Sequence, residues 1–115
     1  MAINSRRKGK VGELEIVRIL RDEYGFEDVR RTQQFSGKQG DADVEGLPGL
    51  HLEVKRNEHL NLYEAYEQSV RDAKAESEFK SREAIPTVFH RKNNKPWLVT
   101  MGLEDFIKMY RSAME

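Results

Sequence analysis

The sequence predicts an α/β domain in which a mixed β-sheet is flanked by helices in the order αβββαββα. Three observations predict it. A helical apolar stripe lies near the N-terminus, two alternating apolar and polar runs flank a Gly-Leu-Pro-Gly turn, and two further amphipathic helices bracket a second hairpin. A chain of 115 residues suits one core, so a single domain over 1–115 is expected.

The basic opening MAINSRRKGK is read as an arm, flexible over residues 1–9, ahead of a helix from Lys10 to Tyr24. In that helix Val11, Leu14, Val17, Leu20 and Tyr24 recur every three or four residues, with Ile16 beside them, and Gly25 supplies the stop. Phe26 to Gln33 reads as a strand that Arg30-Arg31 confines to a sheet edge or groove. After the loop QFSGKQG, Asp41–Glu45 and Leu50–Arg56 form a hairpin around Gly46-Leu47-Pro48-Gly49. Asn61, with Glu64 three residues on, caps a long helix that ends near Lys80 and carries the stripe Tyr63, Tyr66, Val70 and Ala73. Pro86 closes that region. Thr87–Arg91 and Trp97–Met101 are short strands about Lys92-Asn93-Asn94-Lys95, and Leu103–Met114 is a helix with Leu103, Phe106, Ile107 and Tyr110 on one face.

Composition excludes several classes. Charged residues make up 35% of the chain, but Lys+Arg 20 balance Asp+Glu 20, so bulk charge argues for neither nucleic acid nor membrane. With no cysteine, thiolate catalysis, disulfides and Cys-based zinc sites are excluded, and a reducing cytoplasm is the expected compartment. Apolar runs of only a few residues predict neither a spanning helix nor a signal peptide, hence no membrane partner.

The hairpin GDADVEGLPGLHLEVKR carries the chemistry. Leu50, Leu52 and Val54 alternate with His51, Glu53 and Lys55, and Ala42 and Val44 alternate with Asp41, Asp43 and Glu45. Placing both apolar sets on the core face puts Asp43 and Glu53 together beside Lys55. A two-residue Pro48-Gly49 turn would instead set Asp43 opposite Val54, so a bulge or longer loop is expected. Two carboxylates held close favour a hard dication between them, and oxygen ligands without cysteine suit Mg²⁺ or Mn²⁺. Charges on a hairpin face are also an ordinary solubilising feature, and Glu53-x-Lys55 alone would signify little.

Asp43, Glu53 and Lys55 together resemble the signature of the PD-(D/E)xK nuclease superfamily. The stretch RKGKVGELEIVRIL is similar to the first helix of archaeal-type Holliday junction resolvases and their phage relatives, with Glu13 at the position of a metal-site acid. Glu13 lies in line with Ile16, Val17 and Leu20, on the expected buried stripe and not on the solvated side with Glu15, Arg18 and Asp22. The resemblance implies a restriction-endonuclease-like fold and Mg²⁺- or Mn²⁺-dependent phosphodiester hydrolysis on DNA, branched DNA in the resolvases. It implies metal ligation by Glu13, Asp43, Glu53 and the Val54 carbonyl, with Lys55 orienting water. Gly40-Asp41-Ala42-Asp43 departs from the usual Pro-Asp, so Asp41 competes with Asp43 for the ligand role.

Gln68 falls on the helix after the Glu-x-Lys strand, where some superfamily members carry a polar catalytic residue; a surface glutamine is the plainer reading. Candidate DNA contacts are Arg6, Arg7, Lys8 and Lys10 on the arm, Arg30, Arg31, Ser36 and Lys38 around the loop, and His90, Arg91, Lys92 and Lys95 on the second hairpin. Trp97 is read as core. A homodimer is expected, because paired cuts in a four-way junction need two sites related by a two-fold axis, and the stripes Phe106, Ile107, Tyr110, Met114 and Tyr63, Tyr66 exceed what a small core covers unless one of them is itself core. Two alternatives stay open: a nickase or exonuclease of the superfamily without junction preference, and a non-catalytic DNA-binding module that kept the fold.

Overall fold

The computed structural model describes residues 2–32 and 42–115, with side chains from Gly9 onward. Ser36, Lys38 and Asp41 therefore lie outside the described residues, as do the side chains of Arg6, Arg7 and Lys8.

Helix α1 spans Ala2–Arg18 and runs on as a π-helical turn, Ile19–Glu23, which Gly25 ends at φ +77°. The basic segment read as a flexible arm is thus the first turns of this helix, a correction that follows from the absence of any proline to break it. Ile16, Val17 and Leu20 form its buried face, while Val11, Leu14 and Tyr24 are exposed. Gly12 sets that face: a Cβ there would come within 3.1 Å of Arg56 Cβ and 3.5 Å of Val54 Cγ1, so the helix crosses the sheet closely at this point and presses its next turn inward.

Among the described residues, five strands pair in the order β1 (Arg30–Arg31), β2 (Val44–Glu45), β3 (Leu50–Arg56), β4 (Ile85–Arg91), β5 (Leu98–Thr100). All neighbours are antiparallel except β3 and β4, which helix α2 (Leu62–Lys80) joins as a parallel crossover. Strand β1 is an edge strand, shorter than the expected Phe26–Gln33. Its lost N-terminal part turns instead, with the Val29 N–H donating to Phe26 O and Phe26 exposed. Strand β4 starts two residues earlier than expected and contains Pro86. The ring is tolerated because β5 pairs only with Val88–His90, leaving no neighbour on that side at Pro86.

The core is Ile16, Val17, Leu20, Val29, Val44, Leu52, Val54 and Phe89, with Leu47, Leu50 and Trp97 packed against it. Each fully buried aliphatic here contributes ~1.5–3 kcal/mol. This face lies under α1; α2 covers the other. Asn61 caps α2 by accepting from the Glu64 N–H, as expected, but the buried face is Ala65, Ser69, Ala73 and Glu76 rather than the tyrosine stripe. Small residues at four-residue spacing let α2 lie close to the sheet, and Tyr63 and Val70 turn outward. Helix α3 (Leu103–Met114) forms as expected but buries none of its residues; Leu103, Phe106, Ile107, Tyr110 and Met114 are exposed. The element order αβββαββα and a mixed sheet between helices are those of a restriction-endonuclease-like α/β fold.

Candidate active site

The hairpin register places the site. Val44 pairs with Leu52, so counting outward sets Asp43 against Glu53 and not Val54. The Pro48-Gly49 turn does form, with the Leu50 N–H donating to Leu47 O and Gly49 at φ +93°, but it is nested in a longer loop opened by Gly46 at φ +114°. Hydrophobic pattern and turn chemistry are both satisfied at the cost of extra loop residues. Ala42, Val44, Leu52 and Val54 are all buried.

Past Val44 the regular ladder gives way. The Asp43 N–H donates to Leu52 O at 2.9 Å, its carbonyl accepts from the Thr32 N–H at 3.1 Å, and its carboxylate Oδ2 accepts from the Val54 N–H at 2.8 Å. The main chain of Asp43 is thus held from both sides, and its carboxylate is fixed by the Val54 N–H of β3. It is also close enough to Glu53 to share a hydrogen bond. Burial, and next to it the Glu53 charge, push the Asp43 carboxyl up to about 7, while the Val54 N–H and Lys55 pull the other way.

Glu13 reaches the same place from α1. Its Oε1 accepts from Arg31 Nε at 2.9 Å, and burial raises its pKa, against the pull of Arg31 and Lys55 and with a further push from Asp43. Glu13, Asp43, Glu53 and Lys55 are therefore brought into electrostatic contact from α1, the bend before β2, and β3. A buried carboxylate, Glu53, in contact with the half-buried Asp43, with Glu13 at the rim and a lysine beside them, forms a donor set of hard oxygens that fits a Mg²⁺- or Mn²⁺-sized dication.

On β3 two residues before lies His51, fully buried, with Nε2 2.8 Å from Glu53 Oε1 and Nδ1 3.0 Å from Glu76 Oε1. Burial opposes its charged form, but Glu53 and Glu76 outweigh that and raise its pKa above the ordinary histidine value. Sequence reasoning placed His51 on the Glu53 face without a role and missed Glu76. The available signal was a carboxylate at Glu76 in register with Ala65, Ser69 and Ala73, hence on a buried helical stripe. Asp72, also on α2, brings a carboxylate oxygen within 4.8 Å of ligand atoms of His51 and Glu53.

The remaining candidates spread out. Gln68 is exposed, off the buried face of α2. Arg31 is tied to Glu13 and Arg30 to Glu45 at 2.7 Å. Arg91 is bound to Glu15, which also accepts from Trp97 Nε1 at 2.9 Å and lies 3.9 Å from Arg56 Nε. Glu15, expected on the solvated side, is thus the hub of a half-buried ion cluster, because α1 lies across the open end of β3 and β4. His90 sits beside Lys55 in the parallel register, bonds Thr100 Oγ1 at 2.8 Å, and has its pKa lowered by burial. Lys10, Lys92 and Lys95 are exposed. With Asn57, Leu60, Leu62, Pro96 and Leu98, the hairpin lines a cavity of about 400 Å³ past the C-terminal ends of β3 and β4.

A mixed sheet between helices, with an acid just before its second strand and Glu-x-Lys on its third, defines a nuclease domain of the PD-(D/E)xK superfamily. The chain matches the family described as phage putative PDDEXK endonuclease over residues 4–115 and belongs to that family. No curated protein matches it. The family makes this chain a nuclease by class, one that would act on DNA; nucleases of the superfamily typically use divalent metals. Among the described residues no helix is long and apolar enough to cross a membrane.

Proposed function

We propose that this protein is a Mg²⁺- or Mn²⁺-dependent endonuclease that hydrolyses phosphodiester bonds in branched DNA, in the manner of a Holliday junction resolvase, as a single domain. The convergence of Glu13, Asp43, Glu53 and Lys55 at one end of the sheet carries this reading. Asp43, Glu53 and the Val54 carbonyl would hold the ion, with Glu13 directly or through water. When bound, it supplies Lewis acidity and lowers the pKa of water. Lys55 orients the attacking water and balances charge developing on the phosphate. Arg31 keeps Glu13 turned toward the carboxylates. Exposed Lys10, Lys92 and Lys95 supply phosphate contacts with little sequence preference.

Cleavage is expected in Mg²⁺ and Mn²⁺ and not in Ca²⁺, which accepts a larger and looser oxygen shell. Assaying a four-way junction, a flap, a duplex and single strands in each metal, and in excess chelator, tests both metal and substrate. Full activity in chelator sinks the metal assignment.

The exposed faces of α3 and of Leu98 and Val99 on the edge strand β5 support a C2 homodimer, which gives two active sites the symmetry of a junction. A dimer at micromolar concentration that prefers a junction to a duplex of equal length is the expected result of sedimentation and binding measurements. A monomer with equal affinity for both leaves a nickase or exonuclease in place of a resolvase.

A further inference from the structure

We propose that His51 and Glu76 are positioning residues that act through Glu53, forming a buried Glu76–His51–Glu53 chain that sets the metal affinity of the site. The inference rests on the metal-dependent reading above and assigns two residues that reading does not use.

The geometry is specific. His51 is fully buried, and both ring nitrogens are committed to carboxylate oxygens, at 2.8 Å on Glu53 and 3.0 Å on Glu76. Glu53 and Glu76 are themselves buried, so neither has water to turn toward. An ionised carboxylate only accepts, so a ring gripped from both sides is fixed in orientation. His51 holds Glu53 Oε1, and the same carboxylate lies within hydrogen-bonding reach of Asp43. Glu76 reaches the ring from α2, the helix that also brings Asp72 near it. It is the only member of the chain on a different element from Glu53.

A core role alone would be met by apolar side chains, since taking two carboxylates and an imidazole out of water carries a desolvation penalty that their mutual bonds must offset. Ligands that are hydrogen-bonded from behind hold metals more tightly, and loss of such a partner typically weakens binding about 10- to 100-fold. The nearby Asp72 suggests a different arrangement, a cation held directly by His51, Glu53 and Asp72. Both His51 nitrogens are already engaged, so the ring has no lone pair to give while these bonds stand. The positioning role is the one the contacts carry.

The test is Mn²⁺ binding to the DNA-free protein, measured by calorimetry alongside the melting temperature without metal. Glu76→Ala is expected to weaken Mn²⁺ binding about 10- to 100-fold. Glu76→Gln keeps an acceptor for Nδ1 and should recover most of that loss. A folded Glu76→Ala that binds Mn²⁺ as the wild type does overturns the proposal. In the wild type, a Mg²⁺ titration followed by imidazole ¹⁵N signals should move His51 with saturation and leave exposed His59 in place, which needs no variant to fold. A stationary His51 overturns the proposal equally. Wild-type protein that binds no Mn²⁺, or binds it no better than Glu53→Ala does, overturns the metal reading itself and this assignment with it.

Discussion

Glu53→Ala and Asp43→Ala are expected to lose DNA cleavage and metal binding together, while Lys55→Ala keeps both metal and DNA binding and cleaves roughly 10²–10³-fold more slowly. The division follows from what each group touches. Asp43 and Glu53 share a contact that burial makes costly for two negative charges, and removing either leaves half of a dication site. Lys55 is the neighbouring cation of that pair and acts on it at a distance; without it the carboxylates still face each other. The kinetic signature is a fall in kcat with KM near its wild-type value for Lys55→Ala, against a chain that no added metal rescues for Glu53→Ala. Asp41 provides the internal control. Should Asp41→Ala be the dead variant while Asp43→Ala still cleaves, the register set by Val44 and Leu52 does not describe the working site.

That register is also where the sequence was most legible. Alternation in Leu50–Arg56 and Ala42–Val44 decides which way Asp43 and Glu53 point, because a one-residue slip would bury every acid in turn, and no local turn preference outweighs that. The helix caps, the strand β3 and helix α3 were readable for similar reasons: each rests on a local pattern. What was hidden depends on how closely two elements approach. Gly12 lets α1 settle so that Ile16 and Val17 go in and Leu14 stays out, and Ala65, Ser69 and Ala73 let α2 do the same at the expense of Tyr63 and Val70. An apolar stripe of large residues is a good guide only when no stripe of small ones competes for the sheet. Glu15 and Glu76 were misjudged or missed on the same account, since a carboxylate reads as solvated until the partner that neutralises it arrives from a distant strand. Arg91 and His51 are those partners, and they lie 76 and 25 residues away in sequence.

Gly46→Ala is expected to cost on the order of 2–6 kcal/mol of stability, whereas Gly49→Ala, in the same loop, costs about 1–2 kcal/mol. Both residues have positive φ, +114° and +93°, so both substitutions strain the backbone. Only Gly46 is also crowded. A Cβ there would overlap the Asp28 carbonyl and sit 2.5 Å from Val29 Cα, whereas nothing lies within 4 Å of a Cβ on Gly49. The crowding partner is backbone and cannot rotate away, and Val29 beside it is fully buried in the core, so relief must come from moving the hairpin. Moving the hairpin disturbs the pairing of Arg30 with Glu45 and of Val44 with Leu52, the contacts that hold Asp43 against Glu53. Gly46→Ala should therefore lose cleavage even at temperatures where it remains folded, and Gly49→Ala should keep it. Chemical denaturation of both variants, with junction cleavage measured well below each midpoint, checks the pair. Equal destabilisation by the two substitutions would mean that the approach of the loop to Asp28 and Val29 does not set the register, and the placement of Asp43 would have to come from the strands alone.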